Sequence, residues 1–206
     1  MTVACASPVT RLGVYGGAFD PPHTAHFALA QAAVDQLRLD RLCIVPTGAA
    51  FHKVRALTAA KHRLAMCHLA FDSIPEAHID SREIAREGAS YTIDTVRELL
   101  NEHPGSEIYL IIGEDQARAF QTWRQWNDIA KIAIICVAAR ADNTGASGQI
   151  DSHFPDPGRV QRLQMPISPV NATEIRQLLA NSKSVTPLVF ESVARYIEQH
   201  HLYRTA

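Results

Sequence analysis

The chain has 206 residues, 47% hydrophobic and 20% charged, which suits one full core in a soluble globular protein. A formal charge of -1, with ten histidines neutral, lacks the basic excess of a nucleic-acid scaffold but leaves room for one locally basic site on a phosphorylated ligand. The cysteines Cys5, Cys43, Cys67 and Cys136 share no metal-type spacing and read as reduced thiols of a cytoplasmic protein. Met1 to Pro8 lacks a signal-peptide pattern, and no apolar run approaches the roughly 18–20 residues that span a bilayer.

Leu12 to Tyr15 reads as a first strand. It breaks at Gly16-Gly17 and a Pro-Pro turn, and a helix follows over Thr24 to Leu37, with Phe27, Ala30, Val34 and Leu37 at spacings of three and four. Arg41 to Pro46 is a second strand, apolar almost throughout, as in a sheet covered on both faces. A loop from Thr47 to Leu57 carries Phe51-His52-Lys53, and Thr58 is the expected N-cap of a helix ending near Phe71. Ala77 to Ile84 is read as extended. Ser90-Tyr91-Thr92 leads into a helix to about Glu102, and Glu107 to Ile112 is a strand ending at Gly113-Glu114-Asp115. A short helical stretch carries Trp123 and Trp126, and Ile132 to Val137 is another buried strand. Residues 141–158, rich in Gly, Asn, Ser, Asp and Pro, read as a mobile loop before a last strand over Val160 to Ile167. Asn171 and Glu174 resemble a capping box opening a helix to Leu179, and Thr186-Pro187 is expected to open the final helix.

Alternating strands and helices with buried strands imply an α/β fold with a doubly wound, mainly parallel sheet, in one domain with a small helical portion from about 171 to 206. Ligands bind such sheets at the carboxyl ends of the strands. Gly16-Gly17, His52-Lys53, Gly113 to Asp115 and Arg140 all follow strands and should meet on one rim. The glycine pair fits neither G-x-x-x-x-G-K-[ST] nor G-x-G-x-x-G. Alone it is compatible with an ordinary turn. His23 and His26 are also spaced like a zinc pair, but no H-E-x-x-H pattern accompanies them. A helix N-terminus with two imidazoles suits phosphate.

The segment Gly16-Gly-Ala-Phe-Asp-Pro-Pro-His-Thr-Ala-His26 resembles the G-G-x-F-D-P-x-H-x-G-H motif of the nucleotidyltransferase superfamily. Ser90-Tyr-Thr-Ile-Asp-Thr95, Ile111-Ile-Gly-Glu-Asp115, Thr122-Trp123, Asn171-Ala-Thr-Glu-Ile-Arg176 and the closing Tyr196 to Arg204 extend the resemblance nearly end to end, to the bacterial nicotinate-nucleotide adenylyltransferase family. The chain departs from that pattern at Ala25 (Gly in the family), Asn171 (Ser) and Ala139 (an arginine beside Arg140).

The resemblance implies a Rossmann-like nucleotidyltransferase fold and transfer of the adenylyl group of ATP to nicotinate mononucleotide, with release of pyrophosphate. His23, His26 and Arg176 would be catalytic. Gly16, Gly17, Ala18, Phe19, His52, Lys53, Asn171 and Thr173 would bind ATP, and Tyr91, Thr92, Gly113, Asp115, Trp123 and Arg140 the acceptor. Mg²⁺ would be held mainly by the ATP phosphates and water, which needs no carboxylate cage. Trp123 would stack on the nicotinate ring, with Trp126 the competitor at helical spacing. N–H groups at Tyr91 and Thr92 would take the ring carboxylate. His62, His68, His78, His103, His153, His200 and His201 carry no pattern and read as surface or structural. Two alternatives stay open: a related transferase acting on the amide mononucleotide or on phosphopantetheine, and a non-catalytic nucleotide sensor. Neither nucleic acid nor membrane is expected as a partner.

Overall fold

The computed structural model describes residues 9–48, 56–140, 154–165 and 170–204, with only the backbone of 139 and 140. His52, Lys53, the Arg140 side chain, Cys5, His153, and most of the 141–158 loop lie outside the described residues. Six strands form one sheet: β1 (Arg11–Gly17), β2 (Arg41–Pro46), β3 (Ala77–Ile79), β4 (Glu107–Gly113), β5 (Ala133–Arg140) and β6 (Val160–Met165). Their order is β3-β2-β1-β4-β5-β6, and all five pairings are parallel. This is the expected doubly wound sheet.

Alternation along each strand sorts side chains between two cores. Tyr15, Ile44, Tyr109 and Ile111 face one side, where they meet α1 (Thr24–Leu37), α2 (Ala60–Phe71), α7 (Ala172–Ala180) and α8 (Glu191–Gln199). Leu12, Val14, Val45, Ile108 and Leu110 face the other, against α4 (Thr92–Glu102), α5 (Glu114–Arg118) and α6 (Trp126–Ile132). Burial of both strand faces explains the uninterrupted apolar runs. Among the described residues no helix is long and apolar enough to cross a membrane.

Several boundaries differ from expectation. β1 and β5 run longer than read, and Trp123 is extended between the turn Phe120–Thr122 and α6 rather than helical. Three further differences have a cause in named contacts. Thr58 does not cap α2; Ala59 does, and the Thr58 N–H instead donates to Asp20 Oδ2 at 3.2 Å. The stretch read as extended to Ile84 is only the three-residue β3, followed by the single-turn α3 (Arg82–Ala85), which Arg82 ties back through Asp80. The last helix starts at Glu191 with Phe190 as N-cap, because residues 186–189 form a turn whose Leu188 carbonyl accepts from Thr24 at the start of α1. Asn171 does cap α7: its Oδ1 accepts from the Glu174 N–H at 2.9 Å.

One feature of the ladders positions the site. β1 stays paired with β2 through Gly17↔Pro46, and β4 with β5 through Gly113↔Ala138. The β1–β4 pairing stops at Tyr15↔Ile111, two residues short of both strand ends. From that point β1 leads to α1 on one face and β4 leads to α5 on the other, so the strand ends part at the topological switch point, where sheets of this kind bind ligands in a crevice.

Candidate active site

One wall of the crevice is the turn from β1 to α1. Gly17 has no room for a Cβ, which would come within 3.0–3.2 Å of the Phe19 ring. Phe19 adopts the left-handed region (φ 46°) with its ring buried between Tyr15 and Phe71. Buried contacts hold this unfavourable backbone in place. Gly16, by contrast, is exposed, with nothing nearer to a Cβ than the Val45 carbonyl at 3.9 Å.

The two histidines form a stacked pair, ring centroids 3.6 Å apart and 22° from parallel. The His23 backbone N–H donates to His26 Nδ1 at 3.2 Å, which assigns the proton of a neutral His26 to Nε2. Burial lowers the His23 pKa to about 4, so its imidazole is neutral near pH 7. His23 Nδ1 is buried and has no hydrogen-bond partner among the described residues. An orphaned buried nitrogen costs stability, of order 1–3 kcal/mol, unless a ligand atom answers it. Two amides of the first turn of α1 are already used: Thr24 N–H donates to Leu188 O and His26 N–H to His23 O. The start of α1 therefore has fewer spare amides than a bare helix N-terminus.

Arg176 reaches this turn from α7. Its Nη1 donates to the Asp20 carbonyl at 2.8 Å and its Nη2 to Thr173 Oγ1 at 3.0 Å, which orients the guanidinium plane at the mouth of the turn. Arg63 of α2 donates from Nη1 to the Ala18 carbonyl at 3.0 Å and from Nε to the Thr58 carbonyl at 2.9 Å.

The opposite wall is built from α4 and the ends of β4 and β5. Tyr91 is the N-cap of α4 and supplies no side-chain cap, and the first turn of the helix carries one carboxylate of its own, Asp94, whose backbone N–H donates to the Tyr91 carbonyl at 3.1 Å. Arg124 sits over the Tyr91 ring, its Cζ 4.5 Å from the centroid. Trp123 is half-buried and leans on Phe120 at 5.5 Å, while Trp126 contacts the same ring at 6.3 Å from inside α6. A Cβ on Gly113 would meet nothing within 4 Å, and Asp115 is exposed. The start of α4 is fastened to α3: Thr95 Oγ1 donates to the buried Glu83 carboxyl at 2.8 Å, Ser90 Oγ to the Glu83 carbonyl at 3.1 Å, and Arg86 to Glu98 at 2.8 Å. Burial raises the Glu83 pKa.

The structure thus brings Gly16 to Phe19, His23, His26, Asn171, Thr173 and Arg176 to one wall, and carries Tyr91, Thr92, Gly113, Asp115 and Trp123 on the elements of the other. Sequence reasoning missed Arg63, Asp20, Tyr203 and Arg124. Asp20 and Tyr203 lie in segments that carry the resemblance and Arg124 adjoins Trp123, whereas Arg63 carried no local signal. His62, read as surface or structural, bonds Tyr196 Oη through Nδ1 at 3.0 Å and lies beside His200 at the C-cap of α8, a structural role.

A model of cytidylyltransferase-like proteins matches residues 14–178. A protein of Albidiferax ferrireducens named "Probable nicotinate-nucleotide adenylyltransferase" is 53% identical over 196 residues, covering 95% of this chain and 99% of its own. The chain belongs to the nicotinate-nucleotide adenylyltransferase family. A Bordetella pertussis protein of the same name is 40% identical over 198 residues, covering 95% of this chain and 99% of its own. The fold matches that of Plasmodium falciparum nicotinic acid mononucleotide adenylyltransferase complexed with NaAD, with a TM-score of 0.77 at 17% identity over 94% of this chain and 97% of that one. Within the family motif, Ala25 is half-buried in the first turn of α1, and Asn171 performs the capping expected of the usual serine.

Proposed function

We propose that this chain transfers the adenylyl group of ATP to nicotinate mononucleotide, forming nicotinate adenine dinucleotide and pyrophosphate in NAD biosynthesis. The observation that carries the proposal is the parting of β1 from β4 at the switch point, with the His23–His26 pair on one wall and the uncapped start of α4 with Trp123 on the other. The Plasmodium relatives in complex with NaAD and with APC have the same fold, which supports a dinucleotide lying across such a crevice.

The nucleophile is a phosphate oxygen of the acceptor, ionised near neutral pH, so the residues need not remove a proton. Catalysis is in-line positioning plus stabilisation of charge on the α-phosphate and the departing pyrophosphate. His26 donates through Nε2–H to ATP phosphates, and the neutral His23 stacked on it would add an Nδ1–H donor only where a phosphate seats deeply enough to reach that buried nitrogen. Arg176, held by Asp20 and Thr173, faces the leaving phosphates, and the exposed Gly16 lets the nucleotide lie close to the backbone. His52 and Lys53 would add donors, and Arg140 would meet the acceptor phosphate.

At the far wall Trp123 stacks on the pyridine ring, and the first turn of α4 receives its carboxylate, favouring the acid over the amide. Asp115 would bind ribose hydroxyls beside the open Gly113. Among the described residues no group of three or more His, Cys, Asp or Glu could hold a metal. The triphosphate itself offers Mg²⁺ its ligands, and bound Mg²⁺ supplies charge neutralisation there.

The test is pyrophosphate release from Mg-ATP with the acid mononucleotide, the amide mononucleotide or phosphopantetheine. Release should be fastest with the acid. No release with any acceptor would leave the sensor reading standing, and faster turnover of the amide would remove the carboxylate argument.

A further inference from the structure

The closing segment Tyr196 to Arg204 takes no part in the chemistry above, although its sequence belongs to the resemblance. Its Tyr203 points into the nucleotide wall. Tyr203 Oη donates to Asp20 Oδ1 at 2.6 Å, a contact between residues 183 apart. Asp20 is 2% exposed, and its second oxygen accepts the Thr58 N–H at 3.2 Å. Its own carbonyl is the acceptor that orients Arg176. The residue before the Phe19 turn, Ala18, is held by Arg63, whose Nε returns to Thr58. One buried residue of the β1–α1 turn therefore joins three elements: the Asp20 carboxyl holds the entry to α2 and the C-terminal segment, and its backbone carbonyl holds α7.

We infer that Tyr203 is a positioning residue for the nucleotide: through Asp20 it fixes the Gly17 to His23 turn and the Arg176 guanidinium in the geometry that receives ATP phosphates. The inference rests on the assignment of that turn to ATP. It concerns the nucleotide wall, because the Tyr203–Asp20 bond lies in the β1–α1 turn and the same residue accepts from the Thr58 amide and from Arg176. A buried hydroxyl–carboxyl bond is of the charge-assisted kind, and its removal takes away a strong tie between the turn and the C-terminal segment. The cost should appear in nucleotide affinity and orientation rather than in acceptor affinity.

The experiment compares the full-length protein with Tyr203→Phe, which keeps the ring, and with Asp20→Asn, which keeps an oxygen for Tyr203 but turns an N–H against the Thr58 N–H. Binding of a non-hydrolysable ATP analogue and of nicotinate mononucleotide is measured separately by calorimetry, alongside thermal unfolding and steady-state kinetics. Tyr203→Phe should weaken analogue binding about tenfold and raise the KM for ATP, with acceptor binding within twofold of the parent. Asp20→Asn should show the same split. Unchanged analogue binding in a folded Tyr203→Phe protein overturns the inference, as does equal weakening for both ligands. Binding by calorimetry does not need turnover: if the parent binds the analogue but releases no pyrophosphate, the transferase reading fails while the positioning role is still decided.

Discussion

The two walls of the crevice are built differently. The nucleotide wall is tied from four directions: Arg63, Arg176, Tyr203 and the Thr58 amide all bond to Ala18 or Asp20, and Phe19, Asp20 and His23 are buried. The acceptor wall presents half-buried Tyr91 and Trp123 and exposed Asp115 and Arg124, held mainly by ring contacts. Its bonding network lies one layer back, between α3 and α4. A preorganised wall loses little conformational freedom when ligand arrives, whereas exposed side chains must be ordered by it. The contrast suits a reaction in which triphosphate geometry must be controlled at the reacting atom, while the acceptor ring is recognised further off. Preorganised dipoles matter most where charge develops.

That contrast is broken or sharpened by substitutions on each wall. The largest effect should come from His26→Ala, which removes the Nε2–H donor proposed for the phosphates. Turnover should fall about 100- to 1,000-fold with the acceptor KM nearly unchanged. A rise in acceptor KM without loss of kcat would make His26 a binding residue of the other wall.

Stability should also depend on pH through the nucleotide wall. The folded pKa of His23, about 4, lies below the ordinary value of 6.5, so the unfolded chain binds the extra proton. The stabilisation from a neutral His23 is complete above about pH 6.5 and is lost as pH falls toward 4, a decline of about 2 kcal/mol between pH 7 and pH 5. Urea unfolding of the parent and His23→Asn at the two pH values isolates it: the variant should show a shallower decline, and parallel declines would contradict the burial argument.

Arg176→Lys should follow, with kcat lower by about tenfold, because an ammonium cannot bond Asp20 O and Thr173 Oγ1 together while presenting a planar face to phosphate. Trp123→Ala should have the smallest and most local effect. The acceptor KM should rise about fivefold, with the ATP KM unaltered, as expected for losing one ring stack. Trp126→Ala in its place should act on stability rather than on KM, since Trp126 lies within α6 against Phe120.

The sheet and its helices were legible in the sequence because they depend on local pattern. Thr24 to Leu37 was read to the residue, since a prolyl turn starts α1 and Arg38 ends it in the left-handed region. A binding rim at the carboxyl ends of the strands was expected from the parallel sheet, while the strand order and the parting of β1 from β4 came only with the structure. The ties behind it were not legible. Asp20 to Tyr203 and Ala18 to Arg63 span 183 and 45 residues, and no periodicity encodes such pairs. Thr58 looked like a cap by residue type, yet tertiary context gave its amide to Asp20 and left the capping position to Ala59. Thr186-Pro187 carried a helix-start signal that the turn beneath α1 overrode, because the Leu188 carbonyl is needed by Thr24. Residue roles therefore came from motif position, and their support came from contacts the motif does not describe.

The central claim is that one crevice has a nucleotide wall and an acceptor wall. It is tested most directly by assigned amide and indole NMR shifts during titration with an ATP analogue, with nicotinate mononucleotide, and with the joined dinucleotide. The account predicts that the analogue moves Gly16, Gly17 and His26, that the mononucleotide moves Thr92, Gly113 and the Trp123 indole, and that the dinucleotide moves both sets together. Mononucleotide shifts confined to Gly16 through His26, with Trp123 silent throughout, would contradict it.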